Sequence, residues 1–400
     1  MLRSMYSGIS GMKNFQTKLD VIGNNIANVN TFGFKKGRVT FKDTMNQMVS
    51  GASAATETRG GTNPMQVGLG SSLASIDTIH TGSSLQTTGR ALDLGIDGDG
   101  YFVVKDGNQT FYTRAGNFYV DDNGTLVTAD GLKVQAYKNG VLEDITVNVN
   151  ATLPALATDE MKLEGSLPDP ATLSPGAGSE VQQMKIVDSK GVEHTLDYQY
   201  VVDAAGTGWE IKFTNQNSTT DPKPSTTLPL AYDSTTKKYT APADLDLTTL
   251  ELTDGGTVKF NVDKLKQEGD SITAQANPNG NLSGKLESFN IGPTGEVNGV
   301  YSNGQIRGLG TIALAKFSNT SGLLKAGGNL FQETINSGTA NINVPGSGRG
   351  GIAAGALEMS NVDLSEEFTE MITAQRGFQA NTRIITTSDE ILQELVNLKR

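Results

Sequence analysis

The sequence contains no cysteine among its 400 residues, which excludes disulfide bonds and thiolate metal sites. An exported protein of this composition is stabilised by packing and assembly alone. Histidine is also scarce, because only His80 and His194 occur and they lie far apart in the chain. A catalytic triad or a histidine-rich metal site needs more such residues close together.

Nucleotide-binding glycine motifs are absent as well: no GxGxxG opens a helix after a strand, and no GxxxxGK[ST] occurs. The run Asp97-Gly98-Asp99-Gly100 begins like a calcium loop, but Tyr101 occupies the third ligand position and no glutamate closes the loop. We interpret this run as a turn between strands, and the single tryptophan, Trp209, as a core residue. The sequence therefore predicts no catalytic residues, no metal site and no cofactor.

Basic charge is in deficit, with 32 Lys and Arg residues against 43 Asp and Glu residues and a net charge of −11. Such a chain binds phosphate backbones poorly, so we expect no nucleic-acid partner. The one short basic cluster, Lys35, Lys36 and Arg38, is interpreted as a solvated loop.

Long apolar runs are missing, because none approaches the 18 or more residues of a membrane span. Polar residues also interrupt the apolar ones at the N-terminus, whereas a cleavable signal peptide needs a continuous apolar core. We expect no membrane insertion, and either retention in the cell or export by a route that does not read such a signal.

Proline is missing from both ends of the chain, before Pro64 and after Pro345, whereas nine of the twelve prolines fall between Pro154 and Pro278. Helix-compatible ends therefore flank a middle rich in turns. Both ends also carry apolar residues at heptad spacing, which predicts helices with narrow apolar stripes. The N-terminal stripe consists of Leu2, Met5, Ile9, Met12, Leu19 and Ile26. The C-terminal stripe consists of Leu364, Phe368, Met371, Phe378, Ile385 and Leu392, and a second C-terminal stripe of Ile384, Ile391, Leu395 and Leu398.

The C-terminal helix is predicted from Leu364 to Leu398, with Asn361 or Asp363 as its N-cap. It would be roughly 50 Å long at about 1.5 Å per residue. Two interpretations of the stripes stay open. Either both helices pack inside one globule, or they lie in a coiled coil with other chains, which their length and thin stripes favour. In the second case the stripes have no partner in their own chain and order on assembly.

Between the ends the period of the pattern changes to two, and turn residues separate short strands. Asp122-Asn123-Gly124 predicts a hairpin turn, and Thr219–Pro229 a long exposed loop. The fold class is mostly β with long α-helical termini: two nested β domains plus a terminal helical, coiled-coil-like domain. The predicted parts are residues 1–30 and 362–400 for the helical domain, 31–70 for a connecting segment, 71–145 and 285–361 for the first β domain, and 146–284 for the inserted outer β domain.

Three segments, in order along the chain, resemble the flagellar rod and hook family. The N-terminal motif is matched by Asn24, Asn25, Asn28, Asn30, Thr31, Gly33 and Phe34. The first β domain is matched by residues 98–102 and 112–118, and the C-terminal motif by Ser360, Asn361, Val362, Asp363, Gln375 and Arg376. The insert and residues 301–305 look like those of hook proteins, since rod proteins are mostly shorter.

The resemblance implies a helical tube of many copies, with the terminal helices around a central channel and the β domains outside. The implied role is a flexible universal joint that transmits motor torque, in the extracellular hook of the bacterial flagellum, after export by the flagellar type III apparatus. The implied partners are further copies of the chain, the rod, hook cap and hook–filament junction proteins, and the export apparatus. We expect the stripe residues at the subunit-assembly interface and the connecting segment to bridge neighbouring subunits.

Three other functions are less favoured. A distal rod or other axial subunit would share the ends but not an insert of this size. An extracellular adhesin-like β protein would need a signal peptide or an anchor and would not have matching stripes. An enzyme domain displayed on a filament would need a zinc or nucleophile motif, which the insert does not show.

Overall fold

The computed structural model describes residues 2–55, 59–138, 140–148, 152–206, 208–216, 218, 223–233, 238–240, 244–250, 256–269 and 271–397. Three residues of the apolar stripes lie outside this description: all of Leu398 and the side chains of Leu2 and Leu395.

Two long helices form the ends of the described chain, α1 at Leu2–Ala27 and α2 at Leu364–Asn397. Asp363 caps α2, because its Oδ1 accepts hydrogen bonds from the backbone N–H groups of Ser365 at 2.8 Å and Glu366 at 3.4 Å. This bonding satisfies two of the otherwise free N–H groups of the first turn. The predicted helical ends are confirmed, and Asp363 rather than Asn361 is the cap.

The chain divides into two compact units. Unit 1 comprises Met1–Val147, Phe289–Asn298 and Gly308–Arg400, and unit 2 comprises Asn148–Ser288 and Gly299–Arg307. Three strands carry the chain from one unit into the other, namely Gly284–Ile291, Glu296–Tyr301 and Ile306–Ile312. The finer division into a helical domain, a connecting segment and two β domains stays a prediction.

The main sheet of unit 1 is antiparallel, with Tyr101–Asp106 at its centre between Gln109–Thr113 and Lys133–Lys138. All of Tyr101 to Val104 are buried, so both faces of this strand are covered. The predicted turn at Asp122–Gly124 joins two paired strands and is confirmed. The remaining strands of unit 1, apart from those of the ribbon described next, are Leu85–Thr87, Leu94–Asp97, Tyr119–Val120, Leu126–Val127, Val141–Asp144, Leu314–Lys316, Leu324–Gly327, Leu330–Gln332, Asn341–Asn343, Gly351–Ala354 and Ala356–Glu358, with a 3-10 turn at Thr320–Gly322.

A two-stranded antiparallel structure, which we call the ribbon, follows α1. Strand Gly37–Asp43 pairs with Ser71–Thr78, and Asn46–Ser50 pairs with Met65–Gly68. Gly37 lies opposite Thr78 at the base of the ribbon. The region predicted as a connecting segment, residues 31–70, therefore contains three regular strands, Gly37–Asp43, Asn46–Ser50 and Met65–Gly68.

Unit 2 contains a four-stranded and a five-stranded sheet. The first is formed by Leu245–Asp246, Thr257–Gln267, Glu160–Leu167 and Gln275–Pro278, and the second by Gln182–Val187, Glu193–Val202, Trp209–Asn215, Ser225–Asp233 and Lys238–Thr240. The unit also holds the short strand Thr152–Leu153 and 3-10 turns at Pro170–Thr172 and Leu247–Leu250. One apolar core draws residues from both sheets, and Trp209 belongs to it, as predicted.

The exposed loop predicted for Thr219–Pro229 is wrong in its second half, because Ser225–Asp233 is a strand. Within this strand, Pro229 lies opposite Glu210 of the neighbouring strand. Residues 219–222 of the predicted loop lie outside the described part.

Candidate functional site

The two terminal helices lie antiparallel against each other within unit 1. Lys18 of α1 forms an ion pair with Glu370 of α2 at 3.2 Å, whereas Gly8, earlier in α1, lies against Ile385, later in α2. The expectation that the apolar stripes lack a partner in their own chain is therefore wrong. The reason is that glycines on each helix lie where the other helix packs against it. Heptad counting considers large apolar residues and does not detect such contacts.

Glycine permits the close approach of the two helices. A β-carbon at Gly11 would lie 2.9 Å from the side chain of Asn381, and one at Gly377 would lie 2.5 Å from the ring of Phe15. Ala374 is fully buried on the same side of α2. At both positions a side chain of one helix packs directly against the backbone of the other, because glycine has no side chain in the way.

Most described stripe residues are half-buried. This group consists of Met5, Ile9, Met12, Leu19 and Ile26 in α1 and Met371, Phe378, Ile385 and Leu392 in α2. Leu364 and Phe368 are exposed, as are Ile384 and Ile391 of the second C-terminal stripe. The role of the stripes at a subunit interface stays a prediction. The exposed stripe residues have apolar surface that a neighbouring subunit could contact.

A buried charge cluster ties the start of the β-structure to its end. The Glu358 carboxylate is fully buried and accepts hydrogen bonds from Lys35 Nζ at 2.6 Å and from Arg114 Nη1 at 3.0 Å. The backbone N–H of Ser83 donates to it at 3.1 Å, and Lys35 Nζ also donates to the carbonyl of Thr81 at 2.7 Å. We call Lys35, Arg114 and Glu358 the junction.

The solvated loop expected for the basic cluster is wrong for Lys35, whose side chain has no exposed surface. Desolvation lowers the pKa of Lys35, and the adjacent Glu358 carboxylate opposes that shift. Lys36 forms an ion pair with Glu366 at 2.7 Å, while Arg38 is exposed. Sequence reasoning missed the junction because Lys35 and Glu358 are 323 positions apart, and no local pattern marks such a pair.

His80 lies beside the junction. Its Nδ1 is 2.7 Å from the hydroxyl of Tyr101, and its buried Nε2 has no hydrogen-bond partner among the described atoms. Burial, together with the nearby cations Lys35, Lys325 and Arg114, lowers the pKa of His80 to about 4. His80 is therefore neutral in the folded unit near pH 7. His194, in unit 2, contacts Asp188 at 3.2 Å, so neither histidine lacks a local partner.

The motif residues hold the ends of the helices at the base of the ribbon. The side-chain amide of Asn25 donates to the carbonyl of Gly37 at 2.9 Å and to Glu367 at 3.1 Å, and its oxygen accepts from the Gly37 N–H at 2.9 Å. The oxygen of Asn361 accepts from the Lys36 N–H at 2.7 Å, and its amide donates to the carbonyl of Ile79 at 2.8 Å. Two asparagines thus cross-link three segments that are distant in sequence.

Gly33 has no room for a side chain. Its φ is +70°, and a β-carbon would lie 2.5 Å from the backbone nitrogen of Ala115. Its N–H donates to the carbonyl of Glu358 at 2.8 Å, so the chain passes directly beside the junction. Glycine is required here by both the backbone conformation and the contact.

The other motif residues surround this core or face solvent. Phe34, Ser360 and Val362 are buried, and Asn28 accepts a hydrogen bond from Thr31 at 3.1 Å. Five motif residues are exposed: Asn24, Asn30, Asp363, Gln375 and Arg376.

The ribbon carries an exposed apolar surface that no side chain of the described part covers. Its exposed large apolar residues are Phe41, Met45, Met48, Val49, Met65, Val67, Leu69, Leu73 and Ile76. A surface of this kind marks a site of protein–protein contact.

Among the described residues, no group of three or more His, Asp or Glu side chains is arranged to hold a metal ion. No described helix is long and apolar enough to cross a membrane.

Comparison with family models gives three matches along the chain. Residues 5–35 match the flagella basal body rod protein family, residues 95–160 the flagellar hook protein FlgE/F/G D1 domain, and residues 353–398 the flagellar basal body rod FlgEFG protein C-terminal family. The first match contains most of α1 and the third contains α2, and together they contain most of the motif residues. The second contains the central strands of unit 1.

Curated relatives match over the whole chain. The flagellar hook protein FlgE of Borreliella burgdorferi is 40% identical over 446 residues, covering 100% of both chains. The flagellar basal-body rod protein FlgG of Bacillus subtilis is 42% identical over 402 residues, again covering 100% of both. The hook protein FlgE of Salmonella typhimurium is 34% identical over 99% of this chain and 100% of its own.

Among solved structures, the hook protein FlgE2 of Helicobacter pylori superposes with a TM-score of 0.55 at 15% identity, covering 68% of this chain and 100% of that one. At this identity the likeness concerns the fold alone.

Proposed function

This chain belongs to the flagellar rod and hook protein family and is a structural subunit of the flagellar hook. From that premise we propose how its parts serve a flexible tube. The hook is part of the motility apparatus, so the chain is located in the flagellum and associates with other flagellar components. We propose that the hook acts as a universal joint that transmits motor torque from rod to filament, and that the chain has no enzymatic activity.

The observation that carries this proposal is the junction. A load-transmitting subunit needs its helices and its β-structure fixed to each other, and the buried contacts of Glu358 with Lys35 and Arg114 supply that fixation inside unit 1. A buried carboxylate that pairs with two cations has one strongly preferred geometry, because removing a partner leaves an uncompensated buried charge. Bending would then take place at contacts between subunits rather than within unit 1.

We propose that the exposed apolar surface of the ribbon and the exposed apolar residues of α2 are covered by neighbouring copies in the tube. Contacts that do not close into a ring build a helical filament. The exposed residues Phe368 of α2 and Met48 of the ribbon would lose their solvent contact on assembly. Residues 1–30 and 362–400 would surround the central channel, and residues 146–284 would lie outermost.

The remaining partners follow from the same role. We propose contacts with the rod, hook cap and hook–filament junction proteins, export by the flagellar type III apparatus, and no binding of nucleic acid or insertion into membranes. A second candidate function, a distal rod subunit, has a specific observation in its favour: one full-length relative at 42% identity is a rod protein.

Electron microscopy of the purified chain after salt-induced polymerisation tests the proposal. Curved, flexible tubes are expected for a hook subunit, whereas straight rigid tubes would favour the rod function, and the absence of any polymer would contradict both. A chain that ends before Leu364 is the control, because without α2 it should keep its β-structure but fail to assemble. Met48→Asp should also weaken assembly. Its charge control is Lys42→Asp, which alters the charge at another exposed position of the ribbon without removing an apolar side chain and should weaken assembly less.

A further inference from the structure

Three of the ten methionines lie in the ribbon, and all three are exposed to solvent. Met45 keeps 83% of its surface accessible, Met48 61% and Met65 59%. Each of these fractions is higher than that of every other apolar residue of the ribbon except Val49. The methionines therefore supply much of the apolar surface that the ribbon exposes.

The other described methionines are less accessible. Met161 and Met184 are buried in the core of unit 2. Met5, Met12 and Met371 of the terminal helices are half-buried, and Met359 keeps 37% of its surface exposed. Reaction with a dissolved oxidant requires access to the side chain, so among the described residues the ribbon carries the methionines most open to oxidation.

The ribbon is bonded to α1 only along its near half. The backbone N–H of Ser71 donates to Ser10 Oγ at 3.4 Å, and the side-chain amide of Asn14 donates to Ser71 Oγ at 2.8 Å. In the far half, every residue of the strands Asn46–Ser50 and Met65–Gly68 is exposed. A chemical change of the methionine side chains there would therefore leave the packing of unit 1 intact.

Methionine combines a flexible apolar side chain with a sulfur atom that oxidants attack. Hydrogen peroxide transfers one oxygen atom to the thioether sulfur and leaves as water, so the sulfur is oxidised and the peroxide is reduced. The product, methionine sulfoxide, is polar, and methionine sulfoxide reductases return it to the thioether. Oxidation would therefore convert the apolar surface of the ribbon into a polar one, and the conversion is reversible.

We propose that Met45, Met48 and Met65 are peroxide-oxidation sites that control whether the free chain assembles. As thioethers they belong to the apolar surface that a neighbouring copy covers. As sulfoxides they would have to be buried in the same contact with polar oxygens that it does not pair, which opposes association. The proposal rests on the hook function and on the covering of the ribbon by neighbouring copies.

The first test compares the critical concentration for polymerisation of the full-length chain before and after mild peroxide treatment. Peptide mapping locates the sulfoxides, and circular dichroism should show that the treated chain keeps its β-structure. Oxidation of the three ribbon methionines should raise the critical concentration about tenfold or more, because apolar burial is lost at each position. A methionine sulfoxide reductase should return it to the starting value.

Leucine substitutions separate the ribbon from the other methionines. Leucine keeps an apolar side chain but has no sulfur, so peroxide should not change the critical concentration of the Met45→Leu, Met48→Leu, Met65→Leu triple variant, whatever its starting value. Met359→Leu is the matched control, since it removes an exposed methionine of unit 1 outside the ribbon. Peroxide should still block assembly of that variant.

The order of treatment gives a second test. If neighbouring copies cover the ribbon, they exclude peroxide from it. Peptide mapping of tubes that are assembled first and then treated should therefore show slower oxidation at the three ribbon positions than in the free chain. Equal rates in tubes and in the free chain would contradict the covering of this surface.

The outcomes separate the two levels of the argument. Untreated chain that forms no tubes overturns the hook function itself. Tubes from untreated chain, together with an oxidised chain that assembles at the same critical concentration, overturn the oxidation control and leave the hook function intact. The same holds if peroxide still inhibits the triple leucine variant, or if the oxidised chain has lost its β-structure, because the inhibition then comes from other residues or from unfolding.

Discussion

Gly377 of α2 faces the ring of Phe15 of α1 so closely that a β-carbon at position 377 would lie 2.5 Å from the ring. The contact joins residues near opposite ends of the chain and belongs to the face along which the helices run antiparallel. It shows that the pairing of the terminal helices depends on the absence of a side chain as much as on apolar stripes.

We expect Gly377→Ala to destabilise the helix pair by about 1–3 kcal/mol, since the added methyl group overpacks the contact with Phe15. Gly23→Ala is the matched control in α1, where a β-carbon would meet nothing within 4 Å. That change should stabilise the helix by about 0.5–1 kcal/mol, because alanine loses less backbone entropy than glycine. Helix melting followed by circular dichroism measures both effects, and equal shifts of the same sign would contradict the close contact.

Replacing Glu358 by Gln should lower the free energy of unfolding of unit 1 by about 3–5 kcal/mol, because Lys35 and Arg114 would remain buried without a counter-charge. Glu164→Gln, which removes an ion pair with Lys264 on the exposed surface of unit 2, should cost at most about 1 kcal/mol. Trp209 reports on unit 2, so denaturant titrations followed by its fluorescence and by circular dichroism separate the units. A junction variant as stable as the surface variant would refute the structural role of the cluster.

Gly33→Ala tests whether steric contact or backbone conformation requires glycine at position 33. Gly89 has a similar φ of +73° but open space around it, so Gly89→Ala should cost only about 1–2 kcal/mol of backbone strain. The change at Gly33 should cost clearly more, because its β-carbon also meets the backbone of Ala115 and displaces the bond to Glu358. Equal losses in urea titrations would mean that strain alone explains the glycine.

Acid should weaken unit 1 through His80. Its pKa is 6.5 in an ordinary environment and about 4 in the folded unit, so unfolding takes up a proton between these values. The stability that the neutral ring provides is complete above pH 6.5 and is lost as the pH falls toward 4. His80→Gln should flatten the dependence of stability on pH in this range. Thermal unfolding between pH 7 and pH 4 measures the difference.

The sequence predicts the features whose causes are local. Asp363 precedes the first turn of α2 and marks its start, and Asp122-Asn123-Gly124 supplies the backbone freedom that its hairpin turn needs. The terminal motifs also identify the family, because their asparagines and Gly33 occur at fixed spacing. For each of these features, the residues that decide the structure lie within a few positions of one another.

The features that the sequence does not predict depend on distant partners. Lys35 is basic and polar by every local measure, yet the Glu358 carboxylate pairs with it in the interior. Pro229 suggests a loop, yet it lies within a strand, opposite Glu210 of the neighbouring strand. The antiparallel contact of Gly377 with Phe15 adds no apolar residue to a stripe, so heptad counting passes over it.

The ribbon begins and ends at the same place, since Gly37 lies opposite Thr78 at its base. Residues added or deleted in matched pairs toward its far end would therefore leave the junction and the helix pair where they are. Loop ends of this kind are where insertions and deletions are best tolerated. Evolution can thus adjust how far one subunit reaches by changing the length of a single hairpin, without redesigning the rest of the molecule.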